Sequence, residues 1–150
     1  MKRRSDRLER VRTLAATEER DYCRAMGDAQ RSLDAHEARL EELLSYRREY
    51  AARRGHGAGR TVSSAQYADY CNFLQRLDDA VHAQNEVVRS NRQNRDAHRE
   101  RWIQKRRKSE SLQRVVERAR DDETRADARK QQKALDDLPR PADPFGRGEA

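Results

Sequence analysis

Apolar residues in the first third of the chain fall three and four apart: Leu8, Val11, Ala15, then Tyr22, Met26, Ala29, Leu33, His36, Leu40, Leu43 and Tyr50. That spacing puts them on one face of an α-helix, with a four-four step near Tyr22 that reads as a stutter. A second stripe runs through Tyr67, Tyr70, Leu74, Leu77, Val81, Gln84, Val88, Asn91, Arg95, His98, Trp102, Lys105, Ser109, Leu112, Val116 and Ala119. It is a heptad seam with polar residues through its middle, the signature of a left-handed coiled coil.

The breaks between these stripes predict a hairpin. Asp6 with Glu9 three residues on resembles a capping box and starts helix one, predicted over about 6–54. Gly55-His56-Gly57-Ala58-Gly59 makes continuation costly, giving a Gly-rich turn over 55–62. Ser63 and Gln66 repeat the cap pattern and open helix two, predicted over about 63–138. Pro139, Pro141 and Pro144 end it and leave a disordered tail over 139–150. The fold class is therefore all-α: a single antiparallel coiled-coil hairpin of two long helices, the second overhanging the first.

Folding at the glycines sets facing residue numbers to sum to about 117. In that register Tyr50 meets Tyr67, Leu40 meets Leu77, Tyr46 and Tyr70 complete an aromatic plug, and Trp102 lies over Ala15 and Ala16. These residues, with Leu74, are the expected structural seam. About the last 25 residues of helix two then lack a partner. That overhang carries Arg118, Arg120, Arg125, Arg129, Lys130 and Lys133, with Asp121–Arg125, Asp122–Arg125 and Asp127–Lys130 as expected local pairs. Its remaining apolar residues leave a lone helix marginal in water, so it needs another protein.

Composition agrees with a rod and disfavours a globule: 150 residues, 41% charged, 34% hydrophobic and 5% aromatic. No apolar run approaches the ~20 residues of a membrane span, and the basic N-terminus leads into charged helix, so the chain reads as soluble and cytoplasmic. The net charge of +7 comes from 34 basic and 27 acidic residues, largely intermixed, which permits nucleic acid without demanding it. Two cysteines, Cys23 and Cys71, lie roughly 35 Å apart in the hairpin, too far to bridge.

No phosphate loop, metalloprotease motif or nucleophile elbow is present, and a two-helix rod offers no dehydrated cleft, so the chain is read as non-enzymatic with no cofactor. His36 and His82 approach across the seam, but no third ligand is arranged for a metal. The basic run from Arg99 to Lys108 admits two readings: a nucleic-acid surface, or a solvated helix whose long stems cover a weak seam. Its charges spread around the helix, which favours the second.

Several segments, in order around one glycine turn, resemble the FliJ family of flagellar type III export. They are Leu8-Glu9-Arg10-Val11 with Leu14-Ala15; Leu44-Ser45-Tyr46-Arg47-Arg48-Glu49-Tyr50; Tyr70-Cys71-Asn72-Phe73-Leu74-Gln75-Arg76-Leu77-Asp78-Asp79-Ala80-Val81; Trp102 with Lys105; and Gln131-Gln132-Lys133-Ala134-Leu135-Asp136-Asp137-Leu138. The resemblance implies a stalk that enters and activates the hexameric export ATPase FliI, contacts the export gate protein FlhA and binds export chaperones, without inserting in the membrane. It implies a cytoplasmic protein held at the inner membrane of the flagellar base. It assigns ATPase binding to Arg118, Arg125, Arg129, Gln132 and Lys133, and gate binding to Phe73 and Leu77. The alternatives are the equivalent stalk of an injectisome and a basic nucleic-acid-binding coiled coil. At a flanking g position, Phe73 either presents its ring to a partner or folds down over the seam near Leu43 and Leu44.

Overall fold

The computed structural model describes residues 2–55, 63–141 and Phe145. Two helices, α1 (Arg4–Gly55) and α2 (Ser64–Asp136), run antiparallel and pack along their length. The turn residues 56–62, and 142–144 with 146–150 of the tail, lie outside the described residues. At 1.5 Å per residue the helices span roughly 80 and 110 Å.

The start of α2 follows the sequence signal. Ser63 is the N-cap; its hydroxyl accepts from the Gln66 backbone N–H, and the Gln66 side chain accepts from the Ser63 N–H. The start of α1 does not. It begins at Arg4, whose predecessor Arg3 accepts through its carbonyl from the N–H groups of Asp6 and Arg7. Asp6 sits inside the first turn, where its charge opposes the positive helix end. Glu9 bonds Arg12 and Arg120 instead of reaching back. The orphan N–H of Ser5 is satisfied from the other helix: Glu123 accepts from it at 3.0 Å and from the Ser5 hydroxyl at 2.6 Å.

The seam of α1 also differs from the apolar pattern. Ser5, Ala15, Ala29 and Leu33 are buried, with Leu8, Arg12, Glu19, Tyr22, Met26, His36, Leu40 and Leu43 half-buried between them. These positions alternate three and four without a break, so no stutter is needed. Arg12 and Glu19 occupy seam positions through long stems and polar heads; Arg12 holds Glu9, and Glu19 accepts from Trp102. Val11, expected in the seam, flanks it and is 47% exposed.

The register is displaced from the expected one. Cross-helix partners, from Tyr46–Phe73 at the turn to Arg3–Asp127 at the far end, have numbers summing to 119–130. The centre of that range lies about one heptad from 117, and a slip of one heptad returns the same faces to each other. Tyr50 therefore stacks on Tyr70, with ring centres 5.0 Å apart, while Tyr67 is half exposed. Trp102 meets Glu19, its indole N–H donating at 2.7 Å, rather than Ala15 and Ala16. The middle of the seam is pinned by polar bonds: Gln84 donates to the His36 carbonyl, Ser32 to Asn91, and Arg95 to Gln30. A slip would leave the buried Gln84 amide unsatisfied, so these bonds select the register at a cost in apolar burial.

Candidate functional site

The displaced register shortens the overhang. Partnership runs to the Arg3–Asp127 ion pair, and Val116 and Ala119, expected to be left bare, are buried, Val116 to 1% exposure. What projects beyond α1 is the stretch from residue 128, ending at the C-cap Asp137.

Of the residues assigned to ATPase binding, Arg118 and Arg125 therefore lie on the outer surface of the paired hairpin, and Arg129, Gln132 and Lys133 on the projecting turns; all are exposed. Gln132 donates to Asp136. Arg118, Arg125, Arg129, Lys130 and Lys133 form no ion pair among the described residues. The expected local pairs are not made: Asp127 turns to Arg3, and Arg125 is left with neither Asp121 nor Asp122. The result is a free basic tip ending in the exposed Leu135 and Leu138.

At the turn end, ring contacts among the described residues join Tyr46, Tyr50, Tyr70 and Phe73. Phe73 lies 4.5 Å from Tyr50 and 6.1 Å from Tyr46, ring centre to ring centre, and Tyr50 stacks on Tyr70. The half-buried Phe73 ring also lines an open groove with Tyr50, Asp69, Asn72 and Arg76. It thus packs on two tyrosines and keeps one edge toward the groove. Leu77 is 7% exposed and belongs to the core, so its side chain supports this surface from beneath. Leu40 and Leu74 are half-buried.

The basic run divides. Lys105 donates to Glu18 at 2.5 Å and lies over the Tyr22 ring; Arg106 binds Glu110 and stacks over Trp102. Arg99, Arg101, Arg107 and Lys108 form no ion pair among the described residues. His36 is engaged by Gln84, and no group of three or more His, Cys, Asp or Glu among the described residues is placed to hold a metal. Cys23 and Cys71 are free thiols. No described helix is long and apolar enough to cross a membrane.

Two cross-helix carboxylates carry shifted acidities. The hydrogen bond from Lys105 holds Glu18 below the usual carboxylate range, and the reciprocal bond raises Lys105. Glu123 is lowered chiefly by the Ser5 hydroxyl and then by the Ser5 N–H. A carboxylate with a depressed folded pKa stabilises above its unfolded value and loses that contribution as pH falls through the folded one. Melting temperature should therefore decline as pH drops below about 4.5. Thermal melts of Glu123→Gln should show a shallower acid decline than the parent; an unchanged slope would mean that the Ser5–Glu123 bonds do not contribute to it.

Comparison with known proteins gives one consistent result. The family model described as "Flagellar FliJ protein" matches residues 4–140. The chain is 25% identical over 131 residues to a flagellar FliJ protein of Salmonella typhi, covering 87% of this chain and 89% of the relative. It is 24% identical over the same length, with the same coverage, to a flagellar FliJ protein of Escherichia coli K12.

Proposed function

Since the chain belongs to the flagellar FliJ family and is a component of flagellar export, we propose that it is a non-enzymatic stalk that couples the hexameric export ATPase FliI to the gate protein FlhA and to export chaperones. The observation that carries this reading is the asymmetry of the rod's two ends. One end is a projecting basic tip whose cations form no ion pair among the described residues; the other is an aromatic surface beside a groove.

On this reading the tip enters the ATPase ring. Arg125, Arg129 and Lys133, with Arg118 at the base, meet carboxylates of the ring, and charge-assisted bonds there bring more than surface pairs because the cations are already unpaired. The chain supplies no catalytic group. It raises turnover through contacts that differ between ring states, since only differential contact can shift a conformational equilibrium. At the turn end, Phe73 offers an aromatic edge to the gate and Leu77 holds the helix beneath it.

Steady-state ATP hydrolysis by the cognate ATPase, with and without this chain, tests the reading. Stimulation is expected, and a flat titration would refute it. Phe73→Ala separates the gate-facing role. It should weaken gate binding roughly tenfold or more, an anchor-sized effect, while ATPase stimulation persists. Since the ring also packs on Tyr46 and Tyr50, a small fall in melting temperature is expected alongside.

A further inference from the structure

The strict heptad of both helices assigns every residue to a flank of the rod. On α1, Ser5, Arg12 and Glu19 are a positions and Leu8, Ala15 and Tyr22 are d, which makes Glu9 and Glu37 e residues and Arg4, Val11 and Glu18 g residues. On α2, Trp102 and Val116 are a positions and Lys105 and Ala119 are d, so Arg92 and Arg120 are e and Lys108 and Val115 are g. Antiparallel helices set e beside e and g beside g. The e flank is closed by ion pairs of that kind, Arg120–Glu9 and Arg92–Glu37.

The g flank near the chain ends is built differently. Val11 of α1 and Val115 of α2, both g residues and 47% and 36% exposed, stand on this flank at the same level of the register, with Leu14 one step outward and 72% exposed. Around this apolar crest stand Arg4, Arg7 and Arg10 of α1 and Lys108, Arg114 and Arg118 of α2, all exposed and none in an ion pair among the described residues. Glu18 is already held by Lys105, and the remaining anions are Asp122, itself a g residue level with Arg4, with Asp21 and Asp121 beside the flank, so the cations still outnumber the unheld carboxylates.

We propose that this flank is an interfacial surface that lies on anionic phospholipid. Val11, Leu14 and Val115 would enter the boundary between headgroups and acyl chains, with the six cations over phosphates. Apolar tips between basic shoulders are the pattern of helices that lie in a membrane surface. A second copy of the chain would set six cations against six. A partner helix needs a groove, and the grooves described lie at the other end of the rod, between Ala38 and Arg76. Nucleic acid would satisfy the cations but gain nothing from Leu14. The inference goes beyond the export reading and stands without it, since only Arg118 belongs to both surfaces.

Co-sedimentation of the full chain with vesicles tests it. Vesicles about one-third phosphatidylglycerol should bind at least roughly tenfold more strongly than pure phosphatidylcholine, and the difference should shrink with salt. Leu14→Glu and Lys108→Glu should each weaken binding about fivefold or more, with unchanged helicity and melting. Arg99→Glu, the same charge change on the e flank, should cost less than about twofold. Equal binding to both vesicles, or equal losses for Arg99→Glu and Lys108→Glu, would overturn the assignment. So would tighter binding to duplex DNA that Leu14→Glu leaves intact, which would make this a nucleic-acid surface.

Discussion

A chain ending at Asp127 should fold as the same hairpin and fail to stimulate the export ATPase. Among the described residues, the cross-helix bonds and ring contacts run from the aromatic cluster to Arg3–Asp127, so deletion of residues 128–150 spares all of these and melting should shift little. What it removes is Arg129, Lys130 and Lys133, the free cations of the projecting turns. Hydrogen bonds to charged groups are each worth about 1.5–3 kcal/mol, so losing two or three should weaken ATPase binding roughly 100-fold or more. Arg129→Glu with Lys133→Glu should reproduce the loss in the full-length chain, because repulsion replaces attraction without shortening the helix. Full stimulation by the truncated chain would place the ATPase contact elsewhere on the rod.

The second large effect concerns stability. Leu33→Ala should cost about 2–5 kcal/mol, the range for a leucine removed from a closed core. Leu33 is 2% exposed and, with Val116, is one of the two largest side chains fully enclosed between the helices. The seam is one side chain deep, and the layers beside Leu33 hold polar bonds that cannot slide in to fill a void. For a chain of this size the loss corresponds to a drop on the order of 10 °C in melting temperature. Leu14→Ala, at a site 72% exposed, should leave it almost unchanged. Comparable melting for the two variants would mean that the seam is not the source of stability.

Much of the architecture can be read in local chemistry. Ser63 and Gln66 announce a helix start because the capping box is made entirely by neighbours in sequence. The family resemblance rests on segments distributed along both helices, and the match over 4–140 agrees with it. Register is different in kind. Each helix repeats every seven residues, so a one-heptad displacement presents the same faces, and only particular pairs such as Gln84 with His36 or Trp102 with Glu19 tell the alternatives apart. The overhang length inherits that error directly, which is why Val116 and Ala119 are enclosed instead of bare.

Hydrophobicity also misassigned one position at the α1 seam. Val11 is the apolar choice and Arg12 the geometric one, and the continuous three-four spacing favours Arg12 because its stem can line the seam while its guanidinium reaches Glu9. Strict three-four spacing also makes Glu19 a seam residue, and with it a half-buried acceptor for the lone tryptophan. The local charge pairs on α2 failed for a related reason. Asp127 has a neighbour four positions or fewer away in Lys130, but the approach of Arg3 from α1 cannot be seen without the register.

The bond between Ser5 and Glu123 joins residues 118 positions apart. At roughly 5–20 residues per second, a ribosome that has just made Ser5 needs about 6–24 seconds to supply its mate. Once α1 is complete, and until Glu123 is made, its leading N–H lacks this cross-helix acceptor and its seam lacks most of α2. Loop-closure entropy favours pairing first between residues nearest in sequence, so the two ends of the rod, the oldest part of the chain and one of the newest, should meet last. The nascent protein thus passes a long stage as an unpaired amphipathic helix, and its hold on any early companion must be weaker than the grip of its own second half.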